Sequence, residues 1–107
     1  MTEVSPISSE MVLQSIDKLL HEKPDRVTHD MSAATRCLTR YRDEVIRRIR
    51  EKGHPPPSLE RLAKLNAVLS SLYGVHYPIG SPPWALLEKA RASFAEVAAD
   101  LAAAGEA

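Results

Sequence analysis

Thiols are almost absent from this chain of 107 residues: Cys37 is the only cysteine. No disulfide can form within it, and a reducing compartment is its natural home. Glycine is scarce too, with four residues, which leaves no glycine-rich loop to cradle a phosphate. The aromatic set is one Trp, three Tyr and one Phe, and none interleaves with the arginine face of residues 36–50 as single-strand stacking would need. No stretch comes near the roughly 18 consecutive apolar residues of a membrane-spanning helix. The first twenty residues hold Glu3, Glu10 and Asp17 and lack the basic start and apolar core of a signal peptide. A cytoplasmic protein that does not enter a membrane is therefore expected. Fourteen Lys and Arg balance fourteen Asp and Glu. That balance excludes the global basic field that would draw a protein to nucleic acid or anionic lipid.

What is present is a composition of 44% hydrophobic and 26% charged residues, ordinary for one globular domain. Residues 1–7, with Pro6 and no periodicity, are expected to be a loose tail ahead of a single helical domain over 8–104. The charge is uneven. Residues 1–35 carry three basic and six acidic groups, residues 36–52 seven and three, and residues 53–107 four and five. The positive excess therefore sits on one segment.

That segment belongs to the longest helical pattern, Val27 to Lys52. Val27, Met31, Ala34, Leu38, Tyr41, Val45 and Ile49 recur at alternating spacings of four and three, which puts them on one side of a helix. Arg36, Arg40, Asp43, Arg47 and Arg50 fall on the opposite side. Before it, Ser8 or Ser9 caps a first helix that buries Val12, Ile16, Leu19 and Leu20 and stops at Pro24. Asp25 and Thr28 are both candidate caps for the second helix, and Gly53 closes it. Pro55, Pro56 and Pro57 are expected to form a stiff polyproline elbow, after which Ser58 caps a third helix. Apolar residues wrap most of that helix, which predicts the central, most buried element. Gly74 is expected to end it, with Val75 making the hydrophobic contact of a glycine cap. Ser81 followed by Pro82 signals the start of a fourth helix, whose seam of Leu87, Ala90, Phe94, Val97 and Leu101 repeats the four-three alternation. The expected fold is all-α, a small bundle of four helices at about 8–23, 26–52, 58–73 and 82–103, joined by Pro- and Gly-rich loops.

Chemistry is thinly represented. No two of His21, His29, His54 and His76 stand three or four apart, no Glu-x-x-His motif occurs, and the carboxylates are scattered among basic neighbours. Exposed histidines and an unreactive thiol are the simpler account, so no catalytic residue, metal site or cofactor is assigned. Arg36, Arg40, Arg47 and Arg50 could contact nucleic-acid phosphates along a groove. Against this, Arg40 and Glu44, Asp43 and Arg47, and Glu44 and Arg48 stand four apart and can pair on the helix surface. A salt-bridged solvent face is the favoured account of them.

The stretch from Tyr73 to Trp84 concentrates the single Trp, two Tyr and three Pro. Tyr73, His76, Tyr77, Ile79 and Trp84 are the candidate partner-binding residues there, because aromatics on a stiffened loop bury much area at little entropic cost. The competing account folds Tyr77, Ile79 and Trp84 back as a lid on the bundle end. Asn66 and Ser70 fall on the arc between Leu59 and Tyr73, read as apolar, and are expected either to fix packing inside the bundle or to mark an interface. The function expected is a small non-enzymatic protein interaction module, an adaptor or regulatory subunit. Self-association through the second or fourth helix is an open option, and a nucleic-acid-binding regulator is the alternative.

Overall fold

The computed structural model describes residues 8–23, 29–53, 55–76 and 83–105, with His29, Asp30 and His76 described by backbone alone. Among these described residues four α-helices follow one another: α1 (Ser9–Glu22), α2 (His29–Glu51), α3 (Pro56–His76) and α4 (Trp84–Ala103). Three of the apolar seams go to the centre as their spacing requires. Val12, Ile16 and Leu19 of α1, the α2 seam from Met31 to Ile49, and the α4 seam from Leu87 to Leu101 are no more than 3% exposed. Val27 lies outside the described residues.

Each helix packs on two others: α1 on α2 and α4, and α3 on the same pair. The four thus close a ring around one core. Tyr41 of α2 and Phe94 of α4 meet across its diagonal, edge to face, with ring centroids 5.4 Å apart at 68°. α3 and α4 run antiparallel, since Gly74 near the end of α3 lies beside Leu86 at the start of α4. The far ends of α2 and α4 are tied by Lys52 Nζ, which donates to the Ala104 carbonyl at 2.7 Å.

Local signals account for the helix ends. Ser8 caps α1, its hydroxyl accepting from the Met11 N–H at 3.3 Å. Lys23 then takes a left-handed backbone, φ 41°, and its N–H bonds the Leu19 carbonyl. A residue preceding proline is disfavoured in the helical region, so α1 stops there. Gly53 closes α2 at φ 81°, a conformation that costs glycine nothing. The caps expected at Asp25 and Thr28, and the Ser81-Pro82 start, lie outside the described residues. The described part of α4 begins with Pro83 as its cap, with no side chain bonded to the first turn.

α3 departs from expectation at both ends and on its faces. Its first turn is built from the prolines themselves: the Pro55 carbonyl accepts from the N–H groups of Ser58 and Leu59 at 3.0 and 3.1 Å, so Pro56 and Pro57 are helical. They are not a polyproline elbow. Proline is welcome in a first turn because the missing N–H would have had no helical acceptor. Ser58 is accordingly not the cap but a buried residue inside that turn, 3% exposed. At the other end the helix runs through Gly74, with Val75 buried as a helical residue. Gly74 does not terminate α3, although glycine there costs about 1 kcal/mol relative to alanine.

The buried strip of α3 is Leu65, Val68, Leu69, Leu72 and Val75. Asn66 and Ser70 are exposed, neither buried in the bundle nor part of an apolar face, and Asn66 accepts from Arg42 Nη1 of α2 at 3.4 Å. Leu59 and Tyr73 remain 42% and 46% exposed, so α3 is not the most buried helix. Apolar residues surround α3 so completely that its own pattern does not choose a buried side; the positions of α2 and α4 do.

Truncating the diagonal pair should be expensive. Phe94→Ala is expected to lower unfolding free energy by about 3–5 kcal/mol, as loss of a buried ring does. Tyr41→Phe removes a buried hydroxyl that has no partner among the described residues, and should leave stability unchanged or raise it. Urea unfolding followed by circular dichroism measures both.

Candidate functional site

A concavity of the described surface lies between α3 and α4. Small side chains create it: Ala67 and Ser71 on α3 and Ala90 and Ser93 on α4 are too short to fill the valley between the helices. Buried Val68 and Val97 complete the floor, and Leu86 lies toward one end. The groove has a volume of about 420 Å³. At Lys64 and Asp100 it continues into a shallower depression bordered by Glu60, Arg61 and Ala103.

Its rim carries charge of both signs. Lys64, Lys89, Glu96 and Asp100 border the groove, and none of them forms an ion pair or hydrogen bond among the described residues. The opposite side of α4 differs. There Arg91 holds Asp17 of α1 with two parallel bonds, Nε to Oδ1 and Nη2 to Oδ2, the second at 3.1 Å. Cross-helix pairing is thus satisfied where α4 meets α1 and left open where α4 borders the groove.

The arginine face of α2 divides in two. Arg47 is held between Glu44 and Glu51, and Glu44 also reaches Arg48 at 3.4 Å. The hydrogen bond from Arg47 holds the Glu44 carboxyl below the usual carboxylate range. Arg42 pairs with Asp43 at 3.3 Å. Of the pairings expected from spacing, Glu44 with Arg48 forms; Arg40 with Glu44 and Asp43 with Arg47 do not, because Arg47 and Arg42 take those carboxylates. Arg36, Arg40 and Arg50 are exposed and make no ion pair among the described residues.

The candidate residues at the α3–α4 junction are dispersed. Tyr73 is exposed on the α2 side of α3, whereas Trp84 is half-buried against the core. Tyr77 and Ile79 lie outside the described residues, as does the His76 side chain. No protein-family profile, curated protein or solved structure matches this chain. Its function therefore has to be argued from its own surface. Among the described residues no three His, Cys, Asp or Glu side chains gather as metal ligands, and no helix is long and apolar enough to cross a membrane.

Sequence reasoning missed the groove. Its signal was legible in part: Ala67, Ser71, Ala90 and Ser93 are the short residues of two helices that turn out to be neighbours. Nothing in the sequence states which strips face each other.

A half-buried thiol and a buried phenol shape the alkaline behaviour. Burial pushes the Cys37 thiol above its ordinary 9.0, only partly offset by the Ser15 hydroxyl and the Arg40 charge. Burial likewise pushes the Tyr41 phenol above 10.0, with Arg48 offsetting part. Both groups prefer to stay protonated in the fold, so the unfolded chain releases those protons first as pH rises. Stability should therefore hold below about pH 9 and decline above it. Thermal unfolding from pH 7 to 11 tests this, and Tyr41→Phe should flatten the part of the decline that begins near pH 10.

Proposed function

We propose that this chain is a small non-enzymatic protein interaction module, an adaptor or regulatory subunit, with the α3–α4 groove as its docking surface. The observation that carries the proposal is the groove itself: an apolar floor rimmed by four charged groups of both signs that make no ion pair among the described residues. A solvated face gains little from pairing its charges. A groove with an apolar floor gains from being covered, since about 25 cal/mol is recovered for each Å² of apolar surface removed from water. Rim charges of both signs then orient whatever covers it. The absence of a charge excess in the whole chain suits a protein partner better than a polyanion, and a cytoplasmic setting is proposed on the lone thiol.

A photo-crosslinking residue in place of Ser93, in the cells that make the protein, tests this proposal against the same residue at exposed Ala33 of α2. Polypeptide adducts from position 93 and few from position 33 are expected. Equal adducts from both, or none from position 93, would remove the groove as a docking surface.

One observation favours a second reading. Arg36, Arg40 and Arg50 fall within an arc of about 80° on α2, taking 100° per residue, and no carboxylate among the described residues answers them. As a nucleic-acid contact this trio would confer binding that weakens steeply with salt. Fluorescence anisotropy with a labelled duplex should then show affinity at low salt that Arg40→Gln and Arg50→Gln remove; affinity indifferent to salt or to these changes speaks against it.

A further inference from the structure

We infer that the occupant of the α3–α4 groove is the same groove of a second copy of this chain, with Lys89 of each copy set against Asp100 of the other. The inference rests on the groove being a docking surface and adds what docks there.

The charge order along α4 points to a second copy. Lys89 stands toward the start of the helix and Asp100 toward its end, both on the groove rim. They are eleven residues apart, about 16 Å along the axis and about 20° apart around it. They therefore face the same way. A two-fold axis lying over the groove face of α4, perpendicular to the helix and level with the step from Phe94 to Ala95, exchanges the two positions. Under that symmetry each Lys89 meets an Asp100, and one contact implies the other, because an isologous interface uses the same patch twice. Glu96 falls opposite Ser93, a hydroxyl that can donate to it.

α3 does not oppose this arrangement. Lys64 and Asp100 lie at one end of the groove, and Gly74 and Leu86 at the other. The two-fold carries Lys64 toward the uncharged Ser71 and Gly74 stretch of the other α3. A partner of single sign would satisfy only one end of the α4 rim, whereas a reversed copy satisfies both. The chain's formal net charge of zero also removes long-range repulsion between copies. With Ala67, Ser71, Ala90 and Ser93 lining the contact, few side chains lose rotamer freedom when it closes.

A charge exchange tests the pairing. The full chain is examined by sedimentation velocity from about 1 to 200 μM, as wild type, as Lys89→Asp, as Asp100→Lys, and as an equimolar mixture of the two variants. The expected result is a wild-type dimer, at least tenfold weaker association for each variant alone, and a restored dimer in the mixture, where both contacts again join opposite charges. Both positions are exposed, so circular dichroism should show unchanged helix in every variant. As a second measurement, Ser93→Cys in a Cys37→Ser background places a thiol beside the axis, and a short bis-maleimide should link two chains. A wild-type monomer throughout, a dimer indifferent to either charge reversal, or a mixture that stays monomeric would overturn the inference. A monomer that still yields Ser93 photo-adducts to other proteins would remove the second copy and leave the docking surface. A monomer without such adducts would remove both.

Discussion

The edge-to-face contact of Tyr41 with Phe94 is the point at which four separate seams become one core. Neighbouring helices in the ring touch along their flanks, but α2 and α4 stand on a diagonal and are joined only by what their side chains can reach. Two aromatic rings span that distance; two aliphatic side chains would leave a void, and voids in a close-packed interior forfeit dispersion contacts outright. The spacing of Val45, Ile49, Leu38 and Met31 around Tyr41, and of Ala90, Val97 and Leu101 around Phe94, follows from keeping both rings centred. With five aromatic residues in the chain, the use of two of them here leaves few for the surface.

The same constraint governs α3. Once α2 and α4 are fixed by their narrow seams, α3 occupies the remaining side of the ring and turns Leu65, Val68, Leu69, Leu72 and Val75 inward. Its other apolar residues have no inner position left. Leu59 and Tyr73 stay exposed on the α2 side, and Ala67 stays short against α4. The groove is the consequence: a helix apolar on most of its circumference, packed on neighbours that can cover only part of it.

Electrostatics follows the packing and does not drive it. Between helices some charges find partners: Arg91 with Asp17, Arg42 with Asn66, Lys52 with the Ala104 carbonyl. Within α2 the carboxylates go to the arginines one helical turn away or beside them. These exposed pairs stabilise little individually. Their value to the molecule is that they answer Arg42, Arg47 and Arg48, leaving Arg36, Arg40 and Arg50 apart from the rest. The charges on the groove rim likewise have no ion-pair partner among the described residues.

Fold class, the number of helices, and the inward faces of α1, α2 and α4 were determined by the sequence itself, because a seam repeating at four and three has one apolar side and burial admits one orientation. Ser8 and Gly53 were legible for the same local reason, a hydroxyl or a free φ at a helix end. The ends and buried face of α3 were decided only in the tertiary structure. Three prolines and Gly74 are locally consistent with a break, yet proline fits a first turn and the packing of Leu86 beside Gly74 carries the helix onward. Asn66 and Ser70 lie on the arc that local periodicity made apolar, and the neighbours of α3 turned that arc to solvent. The groove was decided there too, since short side chains make a cavity only when two particular strips face each other, and pairing of strips is a property of the assembled ring that residues on one helix do not contain.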